Sequence, residues 1–121
     1  AKRDKAVIIP TGATAANRLG FSTQVPMNTI FLTTGSGRKL KLGNRTVTLK
    51  HGAPKNFAFH GRLMPELVQA LRSIGENNIT SEDEARIGQL FLETPETETI
   101  EHDLLLAPVW MRQIIKKGIR R

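Results

Sequence analysis

The sequence predicts an α+β domain: a mainly antiparallel sheet with a Gly43-Asn44 hairpin, followed by a C-terminal helical subdomain. Three observations lead there. β-Branched and aromatic runs broken by Gly and Pro occupy the chain up to about residue 62. Apolar residues at helical spacing occupy the remainder. Charge divides at the same boundary. Residues 1–62 hold 11 Lys or Arg against one acid, Asp4, whereas residues 63–103 hold ten Asp or Glu against Arg72 and Arg86. Residues 104–121 then add Arg112, Lys116, Lys117, Arg120 and Arg121 without an acid. The net charge of +7 on 121 residues is therefore bipolar, a basic strand-rich part (1–62) beside a helical part (63–121) whose first stretch is acidic. Both sets are open to pairing within the fold or to partners outside it.

The elements follow in order. Val7-Ile8-Ile9 reads as a short strand closed by Pro10. Thr11 is placed to cap a helix whose first turns, Gly12 to Ala16, are nearly all small, so this helix is expected to lie flat against a sheet. Leu19-Gly20-Phe21 ends it, and Ser22-Thr23-Gln24 forms a polar loop into Val25-Pro26. Thr29 to Thr34 is β-branched and aromatic on both faces, the pattern of an interior strand. Gly35-Ser36-Gly37 breaks it. Arg38–Leu42 and Arg45–Lys50 flank Gly43-Asn44, a two-residue turn of the kind that tolerates positive φ. That turn sets Leu42 opposite Arg45, Lys41 opposite Thr46, Leu40 opposite Val47 and Lys39 opposite Thr48. Alternation then puts Leu40, Leu42, Val47 and Leu49 on one side of the ribbon, and Lys39, Lys41, Thr46, Thr48 and Lys50 on the other. A turn at Ala53-Pro54-Lys55-Asn56 and a further short strand, Phe57-Ala58-Phe59, complete this part.

Pro65 opens a helix to Ile74 with Leu67, Val68 and Leu71 inward and Gly75 as terminator. Thr80 caps the next, whose first turn carries Glu82, Asp83 and Glu84, favoured there by the helix dipole; Ile87, Leu90 and Phe91 face inward. A third helix is expected from Thr94-Pro95 to about Leu106. Pro108 starts the last, with Trp110, Ile114 and Ile115 packing while Arg112, Lys116 and Lys117 stay in water.

The stretch PTGATAANRLGFSTQVP (Pro10 to Pro26) resembles a P-S/T-G-A-x-A-A-N-x-L-G-x-S-T-Q-V-P signature in the C-terminal region of AbiEi-type antitoxins, small bacterial proteins that are also transcriptional regulators. In that branch a strand and a basic hairpin follow, matched by Phe31-Leu32-Thr33-Thr34 and by Lys41-Leu42-Gly43-Asn44-Arg45-Thr46. A near-terminal A-P-x-W-x-R element is matched by Ala107-Pro108-Val109-Trp110-Met111-Arg112. The resemblance runs from about Val7 to Lys117. It implies a role in neutralising a co-encoded nucleotidyltransferase-like toxin and in supporting operator binding. Such proteins usually begin with a winged helix-turn-helix, which this chain lacks. Ala1-Lys2-Arg3-Asp4-Lys5 reads as the tail of a helix begun upstream, so the chain is expected to be a fragment of a longer protein, its C-terminal domain.

Elementary chemistry narrows the function classes. The length suits one domain. No apolar run approaches the ~20 residues that span a bilayer, and there is no signal peptide, so no membrane role is expected. No Cys is present, which excludes disulfides and thiolate metal sites and fits a reducing, cytoplasmic setting. A metal-dependent nuclease needs carboxylates converging on a cation, and the strand-rich half offers only Asp4. No enzymatic activity and no cofactor are expected. His51, His60 and His102 show no ligand spacing, and a hairpin end, a turn and a helix surface are ordinary places for them. Gly35-Ser36-Gly37 leads into a strand rather than a helix, so it reads as a turn and not a phosphate loop.

The outward hairpin face is the binding candidate for nucleic acid or a partner. Lys39, Lys41 and Lys50 with Thr46 and Thr48 offer cations and hydroxyls suited to phosphate oxygens. Arg45 in the hairpin belongs to the candidate set, and Arg18, Arg38, Lys55 and Arg62 are placed to widen it. The plainer alternative is an edge kept soluble by Lys, a common device against strand-to-strand aggregation. There is no Tyr, and the single Trp falls in the last helix. Contacts to DNA are thus expected at its backbone, not by stacking on bases.

Overall fold

The computed structural model of the chain describes residues 7–95 and 98–120. The basic stretch Ala1 to Lys5, expected to be a helix tail, lies outside them. The architecture is α+β, a four-stranded, mostly antiparallel sheet followed by helices. The strands are β1 (Ile8–Pro10), β2 (Asn28–Thr33), β3 (Arg38–Leu42) and β4 (Arg45–His51), in the order β1-β2-β4-β3. β1 and β2 pair antiparallel, as do β3 and β4, while β2 and β4 run parallel. The parallel pair follows from the hairpin: the chain runs out as edge strand β3 and turns back as β4 against β2. β2 is thereby interior, as its two-sided β-branched pattern requires.

The hairpin register is the expected one, with Leu42 paired to Arg45, Lys41 to Thr46, Leu40 to Val47 and Lys39 to Thr48. Gly43 takes φ +62°, and a side chain there would meet no neighbour within 4 Å. The glycine is needed for its backbone conformation alone. Gly43→Val is expected to cost roughly 1–3 kcal/mol of stability by thermal unfolding, because a β-branched residue is strained at positive φ. Unchanged stability would contradict this account of the turn.

The helices are α1 (Gly12–Arg18), α2 (Leu63–Ile74), α3 (Ser81–Glu93), α4 (Ile100–Leu106) and α5 (Val109–Arg120). α3 begins with a reciprocal cap: the Thr80 hydroxyl accepts from the Asp83 amide at 3.1 Å, and the Asp83 carboxylate accepts from the Thr80 amide at 3.0 Å. Gly75 ends α2, its amide donating to the Leu71 carbonyl. The core gathers Ala15, Ala16 and Leu19 from the α1 region, Leu63 to Leu71 from α2, and Ile87, Leu90, Leu104, Met111 and Ile115. Each fully buried Leu among them, such as Leu67 and Leu71, contributes roughly 1.5–3 kcal/mol. This cluster lies among helices, and the sheet joins it at one end. α2 meets β1, where Ile9 is buried while its neighbour Ile8 is 53% exposed. Helices therefore cover the Ile9 face of the sheet at its β1 side, and the β3–β4 hairpin projects beyond them.

Five expectations change. α1 packs chiefly on α2 rather than flat on the sheet, because Ala15 and Ala16 admit the α2 backbone closely. Thr11 borders α1 without capping it: its amide and its hydroxyl both donate to the Ile30 carbonyl at 3.0 Å, extending the β1–β2 pairing by one residue. Phe57-Ala58-Phe59 is not a strand. Pro54–Phe57 forms a 3-10 turn with Pro54 at its first position, where a fixed φ and a missing N–H suit a helix start. α4 begins at Ile100, later than Thr94-Pro95. Finally, Arg112 is not left in water; its guanidinium donates to the carbonyls of Ala107 (3.0 Å) and Leu105 (2.9 Å), closing the C-terminal end of α4.

Candidate nucleic-acid interface

Register places the candidate residues face by face. Lys39 on β3 pairs with Thr48 on β4, Lys41 with Thr46, and Lys50 extends the row. Across the parallel pair, Thr46, Thr48 and Lys50 align with Asn28, Ile30 and Leu32 of β2, and Leu32 with Ile9 of β1. Paired residues share a face. One sheet face thus grades from buried Ile9, under the helices, to Lys39 and Lys41 at the open edge. All three lysines are exposed.

Arg38 and Arg45 do not join that face. Arg38 pairs with Leu49 and Arg45 with Leu42, so both lie on the opposite side with Leu40, Val47 and Leu49. That reverse side mixes these two arginines with open apolar residues: Leu40 is 42% and Leu42 62% exposed. Lys55 is exposed in the 3-10 turn, and Arg62 stands at the N-terminal boundary of α2. Arg18 lies away from the hairpin and is engaged within the fold, its Nε donating to the Glu66 carboxylate of α2 at 2.8 Å.

Arg72, Lys116 and Arg120 of the helical part, like the cations of the hairpin, have no ion-pair partner among the described residues, whereas other cations are held. In the helical part several are engaged. Besides the Arg18–Glu66 pair, Lys117 lies 3.7 Å from Glu84, Arg86 donates to the Leu19 carbonyl at 2.7 Å, and Arg112 holds the end of α4. Lys39, Lys41, Lys50, Arg38, Arg45 and Lys55 have no ion-pair partner among the described residues. Among the described residues, no acid of the helical part therefore pairs with a cation of the hairpin.

The Pro10–Pro26 stretch acts as a brace. Asn17 straps the following loop, its amide donating to the Ser22 (3.2 Å) and Gln24 (2.9 Å) carbonyls. The Ser22 hydroxyl accepts from the Gln24 amide, and Leu19 enters the core. These roles account for Asn, Leu and Ser at those places without a ligand.

A second constellation had no sequence signal. His60, in the loop before α2, and His102, on α4, lie 42 positions apart, yet their rings stack with centroids 3.6 Å apart and planes 6° off parallel. Asp103 beside them is fully buried. Its Oδ1 accepts from the His60 amide (2.8 Å) and contacts His102 Nδ1 (2.8 Å), and its Oδ2 accepts from the Gly61 amide (2.7 Å). Burial pushes the Asp103 carboxyl pKa up, but the hydrogen bonds from His60, His102 and Gly61 outweigh it and hold the group below its ordinary value.

The family described as "Family of unknown function (DUF6088)" matches residues 1–100. The chain belongs to the DUF6088 family. The match takes in the sheet, α1 to α3 and His60, and ends where α4 of this DUF6088 member begins. No curated protein and no solved structure matches the chain. Among the described residues, no helix is long and apolar enough to cross a membrane.

Proposed function

We propose that this domain is a non-enzymatic part of an antitoxin and transcriptional regulator of the AbiEi kind, in which the β3–β4 hairpin holds DNA by its phosphates. The carrying observation is the row Lys39, Lys41 and Lys50, exposed, interleaved with Thr46 and Thr48, and without an acidic partner among the described residues. Ammonium groups and hydroxyls on one side of a projecting ribbon suit phosphate oxygens spaced along a strand, and the binding they give is independent of base sequence. Reading of the operator itself falls to another element of the regulator. The exposed Leu40 and Leu42 on the reverse side favour a protein contact there, and with it this reading over a stand-alone nucleic-acid module. The toxin, a nucleotidyltransferase-like protein acting in the cytoplasm, enters through the resemblance of the Pro10–Pro26 signature.

Replacing Lys39, Lys41 and Lys50 together by Ala tests the reading. Each surface change should alter folding stability by no more than about 0.5 kcal/mol, so the thermal midpoint should move little. Affinity for a duplex of arbitrary sequence at low salt should fall steeply, and co-expressed protein should lose repression in an operator-reporter assay. Retained duplex affinity in the folded triple variant would assign the lysines to edge protection instead.

A further inference from the structure

Two observations at the junction of the His60 loop and α4 go beyond what packing requires. A buried carboxylate that accepts two backbone amides needs no imidazole to do so. Yet Asp103 carries His102 on its Oδ1, and the His60 ring is stacked against His102. One donor atom from each of His60, His102 and Asp103 lies within 4.8 Å of the other two.

We propose that His60, His102 and Asp103 form a binding site for a late first-row divalent cation of the Zn²⁺ type. Two imidazole nitrogens and one carboxylate oxygen are the donor set such ions take, at bond lengths of about 2.0–2.2 Å that place donors roughly 3.3 Å apart. Reaching that spacing takes a side-chain rearrangement, because His102 Nδ1 and Asp103 Oδ1 stand only 2.8 Å apart. Part of the site is already fixed. Asp103 is held by the His60 and Gly61 amides, so its carboxylate needs little further ordering, while the His102 Nδ1 contact to it must open or His102 must present Nε2 instead. Both His side chains are exposed, which leaves an entry path and an open position for water as fourth ligand.

The parallel rings set one condition. An imidazole lone pair lies in the ring plane, so two stacked rings cannot both aim at one ion. One must turn about its Cβ–Cγ bond. His60 is the ring free to do so, because it is exposed and makes no hydrogen bond through its ring nitrogens among the described residues. Hard cations such as Mg²⁺ and Ca²⁺ prefer all-oxygen cages and are not expected to compete. A bound ion would tie the loop entering α2 to α4, and so stabilise the domain. The inference does not depend on the DNA-binding reading of the hairpin.

The test uses tag-free, chelator-treated protein titrated with ZnCl₂ by calorimetry, with thermal midpoints measured with and without the ion. The expected result is one Zn²⁺ per chain, a raised midpoint, and no effect of millimolar-scale Mg²⁺. His60→Gln and His102→Gln should each weaken binding by at least about tenfold, the scale found for disturbed metal shells. His51→Gln, at the far end of β4, should not. In the unaltered protein, NMR signals of the His60 and His102 rings should shift on saturation while those of His51 stay. Absence of one-to-one binding, equal affinity in both Gln variants and the unaltered chain, or shifts confined to His51 would overturn the proposal.

Discussion

Asp103→Ala is expected to lower the stability of the domain by about 3 kcal/mol, because it strands the His60 and Gly61 amides that now donate to a fully buried carboxylate. Urea unfolding measures the loss, and a change below about 0.5 kcal/mol, the scale of ordinary surface substitutions, would remove Asp103 from the structural account. The same group sets a pH dependence. Its pKa in the fold lies below the ordinary 3.8, so the folded state favours the charged form. That contribution is complete above the unfolded pKa and is lost as pH falls through the folded one. In metal-free buffer, stability should therefore drop as the pH is taken below about 4. Asp103→Asn, which cannot titrate, should show a smaller drop over the same range. An identical acid limb in the two proteins would assign the loss to other carboxylates.

Gly118→Val is the other substitution expected to be severe. A Cβ at Gly118 would lie 2.8 Å from the Glu84 carbonyl oxygen and 2.9 Å from Ile87 Cβ and Cγ2. Backbone and a fully buried Ile cannot yield cheaply, and a Cβ at Gly88 would in turn collide with the Gly118 carbonyl. α3 and α5 thus cross at two glycines. Ala at position 118 would gain roughly 1 kcal/mol in helix propensity, but overpacking costs typically about 1–3 kcal/mol and Val adds its branch. We expect Gly118→Ala to be destabilising and Gly118→Val more so by thermal unfolding. Gly118→Ala as stable as the unaltered chain would mean that the two helices stand further apart.

What the sequence shows and what it hides divide along physical lines. The hairpin is legible to the residue because two independent constraints, the Gly43-Asn44 turn and the alternation of Leu with Lys, agree on one register. The start of α3 is legible because a cap and its acidic first turn are local in sequence. The Lys39, Lys41 and Lys50 row follows from the same alternation, and so does the exclusion of Arg38 and Arg45 from it, since their partners are Leu49 and Leu42. Features set by distant pairs are hidden. Glu66 takes Arg18 from 48 positions away, and α2 rather than the sheet receives the small residues of α1. Two aromatics around Ala58 carry β propensity, but Pro54 favours a helical turn and prevails. Gly88 in the interior of a helix is a usable sign, because a residue that weakens a helix suggests a close approach. The His60–His102 stack has no such sign, as a spacing of 42 positions matches no ligand pattern.

The measurement that bears most directly on the hairpin is the salt dependence of duplex binding, followed by fluorescence anisotropy for the domain and for its Lys39, Lys41 and Lys50 triple Ala variant. If each lysine neutralises one phosphate, the unaltered domain should bind at low salt and weaken steeply as salt rises. The variant's log–log slope should then be shallower by roughly 2.7, from about 0.9 for each phosphate that no longer meets a lysine. No binding at low salt, or the same slope in both proteins, would contradict a phosphate-binding hairpin.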